Sequence, residues 1–236
     1  MRTSTYALGA VAALMVSACG PGDVDPTPSP TASPSASASP TLSPSPTPSP
    51  SPTPTVAPDI GELEITTQGL LPLTIGEPAQ TNPGALMIRF EEDHCYSEEF
   101  GITDGDLDRW LADYGSPDEG GPFTLAVDGD GDVFRIDVWD SAIATPEGIH
   151  IGSTLGELMD VYPVELQSGS GYSPTSAVWW IEDAHGIVVF ESQNPDDYEA
   201  SPDNEDQIIL IRVLESGSDP DWAAANSGNV AGACPF

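Results

Sequence analysis

From Gly20 to Pro58 the chain has almost nothing with which to build a fold. The last part of that stretch reads PTPSPTASPSASASPTLSPSPTPSPSPTPTVAP, nearly all Pro, Ser, Thr and Ala. Such a segment has too little apolar surface to offset the entropy lost on ordering a chain. Its proline density favours extended polyproline II, which at about 3.1 Å per residue reaches roughly 100 Å. Residues 19–58 are therefore expected to be a disordered tether, and the foldable part is confined to residues 59–236. That length suits one domain of ordinary size with its own core.

The residues before the tether read MRTSTYALGAVAALMVSACG. One basic residue, Arg2, an apolar run from Tyr6 to Val16 and small residues before a boundary make a signal peptide over residues 1–18. The run is too short for a permanent bilayer span. Val16-Ser17-Ala18-Cys19 resembles the lipobox of bacterial lipoproteins. That resemblance implies lipidation of Cys19 and a membrane-anchored chain at the extracytoplasmic face of the cell membrane.

The sequence holds 38 Asp plus Glu against five basic residues, a formal net charge of −33. A surface of that sign repels nucleic acid and anionic lipid and attracts basic partners. Beyond Cys19 only Cys95 and Cys234 remain. In an exported chain one pair most simply forms one disulfide. A thiolate metal or redox site lacks partners, since only His94 lies close to either cysteine in sequence.

The folded part reads as strand-rich. Short strands are expected in 61–67, 84–92, 122–127 and 133–140, a hairpin in 177–192 around Ala184-His185-Gly186, and a strand in 207–215. Two short helices are expected. One lies in 104–115, with Asp104 or Asp106 as cap and Leu107, Trp110 and Leu111 on one face. The other lies in 148–163, where Thr154 and Glu157 have capping-box spacing. LTIG (73–76) recurs as IHIG (149–152), and VFRIDVWDS (133–141) as IILIRVLES (208–216), at offsets agreeing to within one residue. This points to two tandem repeats, about 60–145 and 146–217. Pro83 and Gly84 cut short any helix after Gly76 in the first.

The stretch LAVDGDGDVFRIDVW (125–139) carries Asp128, Asp130 and Asp132 at the first spacings of a calcium loop. The sixth position is Val133 and the twelfth Trp139, where an EF-hand needs Gly and Glu. Alternation on both sides favours a hairpin turn. Weak calcium affinity stays open, but no metal or other cofactor is assigned. No nucleophile elbow, zinc-helix, P-loop or dinucleotide signature occurs. His94, His150 and His185 are scattered, and Glu165, Glu182 or Glu191 cannot be singled out among so many carboxylates.

Alternation does single out two tryptophans. With Phe134, Ile136 and Val138 directed inward, Arg135, Asp137 and Trp139 face outward. With Glu182 in solvent, Trp180 is outward and Trp179 inward. Outward Trp on a sheet suits an interface, so Trp139 and Trp180 are the candidate binding residues, rimmed by Asp137 and Glu182.

IGSTLGEL (151–158) resembles the helix start of small lipoproteins of the SmpA/OmlA outer-membrane assembly family and of the secreted beta-lactamase inhibitor proteins. Gly152, Thr154, Glu157 and Leu158 hold the matching places. The resemblance implies an α+β fold, an antiparallel sheet with a few short helices on one face. It also implies a binding role rather than an enzymatic one. The function expected is a surface-anchored lipoprotein whose acidic domain binds a protein or cell-wall component. The alternative is an extracellular hydrolase with an unrecognised site.

Overall fold

The computed structural model describes residues 56–115, 121–169, 176–193, 206–222 and 230–234. The signal peptide, Cys19 and nearly all of the tether lie outside the described residues. The tether's last residue is tied to the domain, because the Tyr114 hydroxyl donates to the Pro58 carbonyl at 3.0 Å. Among the described residues no helix is long and apolar enough to cross a membrane.

The domain is mostly antiparallel sheet. Three short strands, β1 (Glu64–Thr66), β2 (Gly69–Leu71) and β3 (Leu73–Thr74), form a small sheet. Eight more build the main sheet: β4 (Ile88–Glu91), β5 (Arg109–Ala112), β6 (Phe123–Val127), β7 (Val133–Val138), β8 (Gln167–Gly169), β9 (Ser176–Glu182), β10 (Gly186–Gln193) and β11 (Ile208–Glu215). Their spatial order is β4-β5-β6-β7-β11-β10-β9-β8. Two four-stranded meanders thus meet where β7 lies antiparallel to β11.

The core lies between one face of this sheet and a layer made of the small sheet and short helical turns. Phe123, Leu125, Ile136, Val138, Val188, Phe190, Ile211 and Val213 come from the main sheet, and Ile65, Leu70 and Leu73 from the small one. The only α-helix among the described residues, α1 (Leu155–Val161), contributes Leu158, and the single 3-10 turns Ala79–Thr81 and Ala85–Met87 contribute Ala79 and Met87. The capping box of α1 forms as its sequence indicates. Thr154 Oγ1 accepts from Glu157 N at 3.2 Å, and Glu157 Oε2 accepts from Thr154 N at 2.8 Å. These contacts hold the Glu157 carboxyl below its ordinary range. Helical content is thinner than an α+β reading expects.

The two halves carry matching backbone ladders. Gly76 N donates to Val133 O at 2.7 Å and Val133 N to Glu77 O at 3.0 Å. In the second half Gly152 N donates to Ile208 O at 2.8 Å and Ile208 N to Ser153 O at 2.8 Å. Ala79 N bonds Gly131 O in the first, and Leu155 N bonds Asp206 O in the second. Both glycines have positive φ, 78° and 93°, a conformation that side chains with a Cβ rarely adopt. Where α1 follows Gly152, the two short 3-10 turns Ala79–Thr81 and Ala85–Met87 follow Gly76.

Two expectations fail locally. Residues 104–115 form no helix; Arg109–Ala112 is β5, with Trp110 opposite Phe90 of β4. Gly105 and Gly115 both adopt positive φ and bound a segment too short to separate a period of 3.6 from one of 2. Phe134 does not join Ile136 and Val138 in the core. The register shifts between Ala126 and Val127, pairing Val127 with Val133 and Ala126 with Arg135, and leaves Phe134 as the extra residue of a bulge. Val133 fills the inward place, fully buried.

Candidate binding surface

The same alternation that fills the core puts Arg135, Asp137, Glu191 and Arg212 on the opposite face of the sheet. Arg135 Nε and Nη2 donate to the two Asp137 carboxylate oxygens at 2.8 and 2.7 Å. Arg212 Nη2 lies 2.7 Å from Glu191 Oε1. Asp137 and Arg212 oppose each other in the β7–β11 register. Asp137 and Glu191 are fully buried and Arg212 is only 2% exposed. Burial pushes the Arg212 guanidinium below its ordinary value, and the Glu191 carboxylate opposes that shift.

Described parts of the C-terminal segment cover this row of charge. Arg212 Nη2 donates to the Trp222 carbonyl. Ala231 N donates to Asp137 Oδ2 at 2.8 Å. A disulfide joins Cys95 to Cys234, which are 139 residues apart in sequence. Gly232 packs so closely that an added Cβ would lie 2.5 Å from Leu125 O. Asp137 is therefore no rim residue. It is a buried acceptor that binds the C-terminal segment.

Trp139 and Trp180 both lie on this second face, each half-buried, and the structure does not bring them together. Trp139 follows β7 and directs Nε1 to Thr124 Oγ1 at 3.4 Å. Trp180 packs on Val178, Ile187, Val189 and Leu214, so its inner edge also has a structural role. Trp179 packs on the main core. The row Trp180, Val189, Arg212, Asp137 crosses four adjacent strands, which puts Trp180 about 14 Å from Asp137, two residues before Trp139. Trp222, 51% exposed, has its carbonyl on Arg212, between the two. Sequence reasoning missed it because it lies beyond the last strand, where no period assigns a face.

The Asp128–Asp132 segment is a turn. Asp128 Oδ1 accepts from Asp130 N at 2.9 Å and Asp132 N at 3.0 Å, and Gly131 takes φ 90°. That oxygen serves the loop backbone. Among the described residues no group of three or more His, Cys, Asp or Glu is placed to hold a metal ion. The histidines lie apart: His94 Nδ1 is 3.4 Å from Glu91, His150 Nδ1 lies 2.8 Å from Ile151 O, and His185 is exposed at its hairpin tip.

All four arginines of the domain face carboxylates of the same chain: Arg89 with Glu91, Arg109 with Asp106, Arg135 with Asp137 and Arg212 with Glu191. Few carboxylates are offset in this way, so the outward field is negative.

No protein-family model matches the chain, and no curated protein matches it. A solved structure, that of the uncharacterized protein yfeY from Escherichia coli, is similar at 19% sequence identity and a TM-score of 0.38. The match covers 64% of this chain and 99% of that one.

Proposed function

We propose that this chain is a lipoprotein held through Cys19 at the extracytoplasmic face of the cell membrane. Its tether carries an acidic, non-catalytic α+β domain that binds a protein or cell-wall component, and a basic partner suits its charge. We read the domain as two tandem units, about 60–145 and 146–217, a reading supported by the matching ladders at Gly76 and Gly152. The observation that carries the binding role is Trp222. This half-exposed residue is fastened through its carbonyl to Arg212, on a sheet face whose underlying charges are locked and which also carries Trp139 and Trp180. An aromatic on such a rigid support loses little entropy on contact and is the usual anchor of an interface.

The test is a pair of substitutions in intact cells. Cys19→Ser should shift the protein from the membrane fraction to the medium or leave it unprocessed. Trp222→Ala should stay on the membrane and keep its melting temperature, yet weaken partner retention by about 30-fold, the effect of losing an anchor worth ~2 kcal/mol. A processed, membrane-bound Cys19→Ser protein would refute the anchor. Undiminished retention by Trp222→Ala would refute the binding face.

A further inference from the structure

Strands β5 and β6 touch through a single register pair, Leu111 with Thr124, and then part. The C-terminal Gly232 lies at the gap, close to Leu125 O and Trp110 O. Arg109 fastens it, donating to Gly232 O at 3.1 Å and Ala233 O at 3.2 Å. Beyond it opens a cavity of about 520 Å³ lined by Phe90, Trp110 and Phe134 and by Asp106, Asp108 and Asp128. It shares no residue with the tryptophan face.

Its walls have two sides to their chemistry. Phe90 and Trp110 rings meet at 5.3 Å, and Phe90 is 48% exposed. Phe134 reaches the cavity because the bulge takes it out of the core. The three aspartates are exposed. The single cation among the lining residues, Arg109, is engaged by Asp106 at 3.5 Å and by backbone carbonyls. An aromatic floor under an anionic rim recognises a cation on an apolar stem, with the methylenes on the rings and the charge at the carboxylates. Guanidinium suits it best, being planar, weakly hydrated and able to stack.

We propose that this groove is a docking site for an arginine- or lysine-bearing segment of another polypeptide. The occupant must come from a different protein. This sequence contains no lysine, and the domain's four arginines already face its own carboxylates. A second copy therefore offers no ligand.

The experiment uses the mature chain and three synthetic peptides, Gly/Arg, Gly/Lys and Gly/Gln, followed by titration calorimetry. The arginine peptide should bind and the glutamine peptide should not. Affinity should fall at least about tenfold between about 50 mM and about 500 mM salt. Phe90→Ala should weaken binding about tenfold or more without lowering the melting temperature. Asp106→Asn with Asp108→Asn and Asp128→Asn should do the same, since Asn keeps the oxygen that Asp128 and Asp108 offer to backbone N–H groups. Asp160→Asn with Glu165→Gln, elsewhere on the surface, should leave affinity within about twofold. If that control weakens binding as much as the groove variants, the attraction is diffuse and the site is refuted. Binding of peptidoglycan fragments at Phe90, with no arginine-peptide binding, would likewise overturn a polypeptide occupant. Trp222→Ala should not change peptide binding, so the groove and the tryptophan face succeed or fail separately.

Discussion

Arg212→Ala should destabilise the domain by about 3–5 kcal/mol in denaturant unfolding, with the slope unchanged. The guanidinium is nearly fully buried and compensates Glu191 and Asp137, which are both inaccessible to water. Removing it takes from the buried Glu191 the guanidinium that faces it, while Asp137 keeps Arg135, and that loss costs more than the pair's own net contribution. It also removes the donor that holds the Trp222 carbonyl. Replacing both partners, Arg212→Met with Glu191→Gln, should recover much of the loss. A cost below ~1 kcal/mol for Arg212→Ala would mean that the row of charge is solvated and the C-terminal segment does not seal it.

Reduction and alkylation of Cys95 and Cys234 should cost about 4–5 kcal/mol on the chain-entropy estimate for a loop of this length. For a domain of this size that lowers Tm by roughly 10–20 °C. The effect should be coupled to the first. The disulfide anchors the segment whose Ala231 N binds Asp137. In an Arg212→Ala background that segment is already loosened, so reduction should cost clearly less than in the parent chain. Additive costs, or an unchanged Tm on reduction, would show that the disulfide ties down nothing beyond its own turn.

Much of this architecture is legible in the sequence because alternation, caps and turns are local. The Cys95–Cys234 pair follows from having just two cysteines beyond Cys19. Thr154 and Glu157 announce α1, and Asp128 with Gly131 announces a turn. Trp179 and Trp180 are sorted onto opposite faces by alternation alone. What failed depends on non-local pairing. Nothing in VFRIDVW tells that the register slips at Ala126 and frees Phe134. Trp110 and Leu111 fit a helix face as well as a strand until β4 is placed beside them. Asp137 reads as a solvent residue because alternation gives the face and not what covers it. Its cover, Ala231, lies 94 residues away. Trp222 and the groove at Phe90 were invisible for the same reason, since both are made where the C-terminal segment returns to the sheet.

The most direct measurement is photo-cross-linking on intact cells from a probe placed at position 222, with position 159 as control. Met159 is 41% exposed on α1, which packs on the core face. A binding domain working through the tryptophan face should yield one dominant adduct from position 222, weakened by high salt, and none of it from position 159. The same adducts from both positions, or none from position 222, would contradict a binding role for that face.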